Sequence, residues 1–379
     1  MDEDDIDIKK HMKPLATQRF PSGSMNEDRL HAKEYIKDTF RQIGLRVVEH
    51  RFNTSINPDL TGTTYDQEVV EGVNVIGIAD GVSSKPGAVV LVGADYDTSG
   101  TDDPMYNNGA GIAVMLEAAY QFYFNTHWSG MYVLNYTTIF VAFDLNTREH
   151  VSGSGKPGGR HFVEEWLWNF LNQSSTNFGG AVILDSVMNV NYEEASQRND
   201  QQFADLYPDT QERLVESKFK GDFLGLVTVE NDEKNVALRD LFTGLYNKDR
   251  KRRPFHLEDL SIRRGVNMNT MVEELTKQES YHFWTFSNNN NQVPLPAILL
   301  TDTQKLRTRA PNPSCERICR PEDLLTEERV EFMEATTNGL IHFLMRRQGT
   351  RKEDLSGAMT SLPSVFTLPL VLLFGRLFH

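Results

Sequence analysis

Apolar positions along the chain fall into two alternating rhythms. Residues 25–44, MNEDRLHAKEYIKDTFRQIG, place Leu30, Tyr35, Ile36, Phe40 and Ile43 on one helical face, and Gly44 is a natural stop. The stretch LRVVEHRF then reads as a strand. Two β-rich runs follow, GVNVIGI at 72–78 and AVVLVGADYDT at 88–98. Their near-continuous Val and Leu predict burial on both faces, as in the middle of a sheet covered by helices. A Gly-rich turn opens the helix GAGIAVMLEAAYQFYF, after which strand TTIFVAFDL, helix RHFVEEWLWNFL and strand GGAVILDSV succeed one another. The strand PAILLTD at 296–302 and a helix from about 327 to 345 close the pattern.

This alternation predicts an α/β fold, a single doubly wound mixed sheet with helices on both faces. Residues 1–24 read as a flexible lead and 25–347 as one domain. Within it, 194–258 is polar and helix-like, an insertion or lid. Residues 348–379 form a polar spacer and an apolar tail. No internal repeat is visible, and the only low-complexity tract is the asparagine run from 288 to 291.

Charge narrows the partners. With 53 acidic against 39 basic residues the net charge is −14, which excludes a nucleic-acid partner, since phosphate binding needs a concentrated basic face. The basic run KDRKRR at 248–253 reads as a solvated loop. The two cysteines, Cys315 and Cys319, either close a small disulfide loop or stay unpaired. Two thiols are too few for a structural zinc site built of cysteines.

Addressing signals are uneven. The start, MDEDDIDIKKHMK, holds no apolar stretch and so no visible signal peptide. Three glycosylation sequons begin at Asn53, Asn135 and Asn172. At the other end Ser356, Gly357 and Ala358 precede a short spacer and the run VFTLPLVLLFGRLF at 365–378. Small residues, spacer and apolar tail form the arrangement of a glycolipid (GPI) anchor signal. The run is too short to cross a ~30 Å hydrocarbon core comfortably, and Pro369 and Arg376 interrupt it. A poorly inserted tail anchor and a buried terminal helix are the rival readings. The expectation is an extracellular or cell-surface glycoprotein, tethered by lipid, whose leader lies outside this stretch of chain.

In doubly wound sheets ligands sit beyond the carboxyl ends of the strands. The informative residues are therefore Asp95 and Asp97, Tyr106 to Asn108, Asp144 to Thr147, Asp185, and the neighbourhood of His282. The collinear order VVLVGADYDT, NNGAGIAVMLEAA, TIFVAFDL, a GS pair before a helix, AVILDSV and PAILLTD resembles the di-zinc aminopeptidase family. That family includes secreted leucyl aminopeptidases, plasma glutamate carboxypeptidase and glutaminyl-peptide cyclases. The resemblance spans roughly residues 25–347 and implies a zinc-exopeptidase (phosphorylase/hydrolase-like) fold.

It also implies two zinc ions held by His, Asp and Glu, one bridging carboxylate, a second Asp orienting a His ligand, and a Glu base for metal-bound water. Carried over position by position, most of this set is altered. The first metal-binding His falls at Asp95, and the orienting Asp is kept as Asp97. The bridging Asp falls at Tyr106, beside Asn107 where a further Asp is usual. The Glu pair of base and ligand falls at Asn146 and Thr147. The remaining ligands are kept as Asp185 and His282, although Tyr281 replaces an acidic neighbour.

A neutral phenol cannot offset the repulsion of two dications as a bridging carboxylate does, and loss of the Glu base removes a contribution of ~10²–10⁴-fold. The resemblance with these replacements predicts a catalytically inactive homologue with no catalytic residue and no cofactor, acting by recognition of a protein or peptide partner. Glu149 and His150, in a turn one residue longer than the family pattern, are the only route by which the pocket regains ligands. On that route the chain is an active zinc-dependent exopeptidase with an unorthodox site. A one-zinc N-terminal cyclase ranks last, because its Glu ligand is missing too.

Overall fold

The structure is a computed structural model, and it describes residues 8–59, 66–82, 87–146, 155–198, 201–230, 232–247, 255–263, 279–289, 291–309 and 320–354. Its centre is an eight-stranded sheet in the order β1-β2-β5-β3-β6-β11-β7-β8. These strands are β1 (Arg46–Ile56), β2 (Glu68–Ala79), β3 (Ala88–Asp95), β5 (Thr138–Phe143), β6 (Asn177–Asp185), β7 (Phe223–Val227), β8 (His256–Asp259) and β11 (Ala297–Thr301). The four inner strands β5, β3, β6 and β11 run parallel, so their carboxyl ends open on one edge of the sheet. Strands β1 and β2 continue one side antiparallel, and β7 joins β11 antiparallel on the other. Two small ribbons complete the β-structure: β9 (Ser287–Asn288) with β10 (Asn291–Gln292), and β4 (Tyr132–Leu134) with β12 (Gly349–Arg351).

The period of two along a strand sorts the core into two layers. Val90 and Val92 face one layer and Val89 and Leu91 the other. Against the first pack α2 (Met25–Ile43), α3 (Ala110–Tyr123), α8 (Glu233–Asn247) and the C-terminal helix (Glu327–Gln348), through Ile36, Phe40, Leu116, Leu238 and Phe343. Against the second pack α4 (Gly158–His161), a π turn (Phe162–Leu167) and α5 (Trp168–Ser174), then α6 (Gln201–Leu206), α7 (Pro208–Glu216) and the helix Glu279–Trp284. The expected α/β architecture with helices on both faces is the one observed.

Three expectations change. The lead is not loose from Ile8 onward: α1 (Ile8–Met12) buries Ile8 and Met12, and Leu15, Arg19 and Phe20 are buried as well. In α2, Leu30 turns outward and Arg29 inward, because Arg29 pairs with buried Asp144. The stretch 194–258 is not an insertion of helices alone, since it supplies β7, whose five residues are all buried inside the main sheet. Gly44 ends α2 in the left-handed region at φ 102°, the conformation glycine adopts without strain. The basic run 248–253, both cysteines and the tail from 355 lie outside the described residues.

Candidate functional site

Each inner parallel strand ends in an aspartate. In sheet order these are Asp144 after β5, Asp95 on β3, Asp185 on β6 and Asp302 after β11. All four are buried. The outer two are held by the fold. Asp144 Oδ2 accepts from Arg29 Nη1 at 2.6 Å and from the Val73 N–H at 2.8 Å. Asp302 accepts three backbone N–H groups, from Met188 (3.2 Å), Asn189 (2.6 Å) and Gln304 (2.9 Å). Burial still pushes the Asp302 carboxyl up to about 6.

The inner two are met by uncharged side chains. Asp95 Oδ1 accepts from the Asn108 amide at 2.7 Å. That amide also donates to the Leu184 carbonyl (2.8 Å), while Asn108 Oδ1 accepts the N–H of Ser186 (2.9 Å) and of Gly111 (3.1 Å). One side chain thereby ties the ends of β3 and β6 to the first turn of α3. A methyl group at Gly111 would fall 2.4 Å from Asn108 Oδ1, so glycine there makes room for this clamp. Asp185 accepts from the Ser186 hydroxyl at 3.3 Å and from the Gln304 amide. Burial, and next the charge of Asp97, push Asp95 up to about 7. Burial, and next the charge of Asp95, hold Asp185 well above the ordinary carboxyl range.

A second group faces them. Asp97 Oδ1 accepts the Asn146 N–H at 3.1 Å, and Asn146 Oδ1 accepts the Gly159 N–H at 2.6 Å, at the start of α4. A Cβ at Gly159 would lie 3.1 Å from Asn146 Oδ1, 3.3 Å from Glu279 Cγ and 3.4 Å from His282 Cδ2. Those three side chains converge on one small space. Glu279 and His282 are three apart on one short helix and share a face. Glu279 is 2% exposed and its Oε2 has no hydrogen-bond partner among the described residues. Burial, and then the charges of Asp95 and Asp185, hold it well above the usual range, which places it in the same electrostatic unit as the strand ends.

The structure thus brings Asp95, Asp97, Asn146, Asp185 and His282 to one region. The Tyr106 carbonyl accepts the Ser186 hydroxyl at 2.9 Å, while Arg309 lies 4.2 Å above its ring and Arg329 5.6 Å away, and burial pushes its hydroxyl up to about 12. Asn107 Oδ1 accepts the Ser99 N–H at 3.3 Å, and the Asn107–Asn108 peptide bond is cis. Thr147, Glu149 and His150 lie outside the described residues.

Sequence reasoning missed two contributors. Glu279 stands three residues before His282, and its signal was a lone acid opening an otherwise aromatic helix. Arg19, fully buried, donates to the carbonyls of Leu15, Thr17, Tyr96, Pro104 and Asn107, pinning the loop between Asp95 and α3. Burial lowers its guanidinium to about 10 even though Asp95 and Asp97 pull the other way.

These donors do not fit the pair of zinc ions that the fold implies. Amide N–H groups from Asn108 and Gln304 donate to one oxygen of Asp95 and one of Asp185, and the phenol of Tyr106 and the amide of Asn146 stand where the resemblance implies the bridging carboxylate and the base. Among the described residues, no three His, Cys, Asp or Glu side chains are arranged to hold a metal ion. What the pocket can do is retain protons, donate from a neutral carboxyl, and attract a cationic group.

No protein-family model and no curated protein matches the sequence. Solved structures do match. A zinc aminopeptidase from Bacillus subtilis superposes with a TM-score of 0.54 at 12% identity, covering 91% of this chain and 95% of its own. An aminopeptidase from Aneurinibacillus sp. strain AM-1 gives 0.53 at 10% identity, over 90% and 93%. A glutaminyl cyclase from Macrostomum lignano gives 0.54 at 12% identity, over 90% and 89%. At such identities the likeness shows fold alone, and the chain has the zinc-exopeptidase fold of these aminopeptidases and cyclases.

Proposed function

We propose that this protein is a catalytically inactive member of the zinc-exopeptidase fold that works by recognition, binding a protein or peptide partner at the cell surface or outside the cell. One observation carries the reading: the two central strand-end carboxylates, Asp95 and Asp185, are engaged by neutral amides. Burial and the mutual repulsion of the acids raise both carboxyls, against the amide N–H groups of Asn108 and Gln304, which favour the ionised forms, and a protonated carboxyl is a poor ligand for a dication. Asn146, at the place where a base would take a proton from water, is an amide without basicity. The exposed side chains of Asn53 and Asn172 are accessible to glycosylation, in keeping with that location. The strongly negative surface argues against a nucleic-acid ligand.

A second reading, an active zinc exopeptidase with an unorthodox site, draws support from Glu279. Its Oε2 has no hydrogen-bond partner among the described residues, and its side chain, meeting those of Asn146 and His282 around Gly159, adds an acid to those of the strand ends. Metal analysis of the purified, exhaustively dialysed chain separates the two. The recognition reading expects no stoichiometric zinc and no release of amino-terminal residues from peptides. Bound zinc together with chelator-sensitive trimming would replace it with the second.

A further inference from the structure

The β4–β12 ribbon lies away from the pocket and bears an unusual surface. Trp128 is 48% exposed, Met131 52% and Val82 72%. These three exposed apolar side chains flank one three-residue strand. Val82 donates its N–H to the Leu134 carbonyl on one edge of β4, and the Met131 carbonyl accepts from Lys352 on the other. Trp128 is propped outward by aromatic neighbours, its ring centre 5.8 Å from that of Tyr123 and 5.9 Å from that of Tyr120. Soluble surfaces scatter such residues singly, so their clustering marks a contact face.

The charge beside this face runs against the rest of the molecule. The stretch MRRQGTRKED at 345–354 carries four cations against two acids, Glu353 and Asp354, in a chain whose net charge is −14. Arg346, Arg351 and Lys352 are exposed, and Arg351 Nε donates to the Tyr132 hydroxyl at 3.0 Å. Aromatic side chains with an apolar body and a polar edge, ringed by Arg and Lys, suit the headgroup layer of a bilayer. Asp354, the last described residue, closely follows this ribbon in the chain. Beyond Asp354 the apolar run 365–378 begins eleven residues on, within a reach of at most ~40 Å. Among the described residues no helix is long and apolar enough to cross a membrane. One weak apolar element holds a protein to lipid only marginally, and a second contact makes attachment stable.

We propose that the β4–β12 face rests on a lipid bilayer, with Trp128 and Met131 entering the interface and Arg346, Arg351 and Lys352 meeting phosphate headgroups. The inference is independent of whether the pocket is catalytic.

The test uses the full chain and vesicles of phosphatidylcholine with phosphatidylserine, with and without bromine on the acyl chains. Brominated vesicles are expected to quench tryptophan emission. Trp128→Phe removes most of that quenching while the protein still binds, because the other three tryptophans are half-buried or buried within the fold. Reversing Arg351 and Lys352 to Glu weakens binding to the anionic vesicles by about tenfold or more. Binding without quenching of Trp128 would mean that the terminal run alone holds the membrane, and would overturn the proposal. So would Trp128 already shielded from acrylamide in lipid-free protein, which would assign the face to the chain's own terminus or to a second copy. Absence of vesicle binding overturns it as well.

Discussion

Asp144 and Asp95 sit on adjacent strands, are equally buried, and are treated oppositely by the fold. Asp144 meets a guanidinium at 2.6 Å and a backbone N–H, and both oppose the upward push that burial gives its carboxyl. Asp95 meets an uncharged amide and the like charge of Asp97, and retains its proton up to about 7. The same residue type at two neighbouring strand ends, one register position apart, is ion-paired in one case and a poised acid in the other. The neighbour decides the role, and the neighbours come from distant parts of the chain.

Removing the matched partner breaks this contrast most severely. Arg29→Ala leaves the Asp144 charge buried without its cation and is expected to destabilise the fold by about 3–5 kcal/mol in chemical denaturation. Asp95→Asn keeps an oxygen for Asn108 and removes a costly ionisation, so its stability at pH 8 should equal or exceed that of the parent. If both variants lose comparable stability, the distinction between the two strand ends is wrong.

Acidity sharpens the comparison next. Asp95, Asp185, Glu279 and Asp302 all have folded-state pKa values raised above their unfolded ones, so the unfolded chain releases its protons first as pH rises. Their contribution is fully present below about pH 4 and diminishes through pH 6 to 7, where Asp302 and Asp95 titrate. Stability should therefore fall between pH 5 and pH 8, and the slope should flatten in Asp95→Asn. A stability that climbs over that interval would refute the assignment.

The smallest effect probes the convergence point. Gly159→Ala inserts a methyl 3.1–3.4 Å from Asn146, Glu279 and His282 and should cost about 1 kcal/mol. The backbone N–H that Asn146 accepts is retained. Amide exchange at residue 159 should consequently rise only slightly; a variant as stable as the parent would mean that the three side chains do not meet there.

Much of the scaffold was legible in the sequence because its signal is local. Strands β3, β5, β6 and β11 announce themselves as unbroken apolar runs, and each carries its terminal aspartate in plain view. Strand β7 was hidden, since FLGLV is five residues long and embedded in charged surroundings. The segment from Ile8 to Phe20 was hidden too: its lysines mask Ile8 and Met12, which face inward one helical turn apart. The site was half legible. Which strand ends carry acids follows from the pattern, but whether each acid is paired depends on Arg29, Asn108, Glu279 and Gln304, residues up to 119 positions away in the chain. No local rhythm encodes those meetings.

The buried guanidinium of Arg19 gives the amino-terminal segment a duty beyond packing. By gathering carbonyls from both its own stretch and the loop ahead of α3, it stitches the beginning of the polypeptide to the floor beneath Asp95 and Asn108. A protein trimmed to start at α2 would keep its sheet and its strand-end acids yet lose the fastening that holds their rim in register. Proteolysis near residue 20 would thus act on the pocket from behind, without touching a single group that lines it.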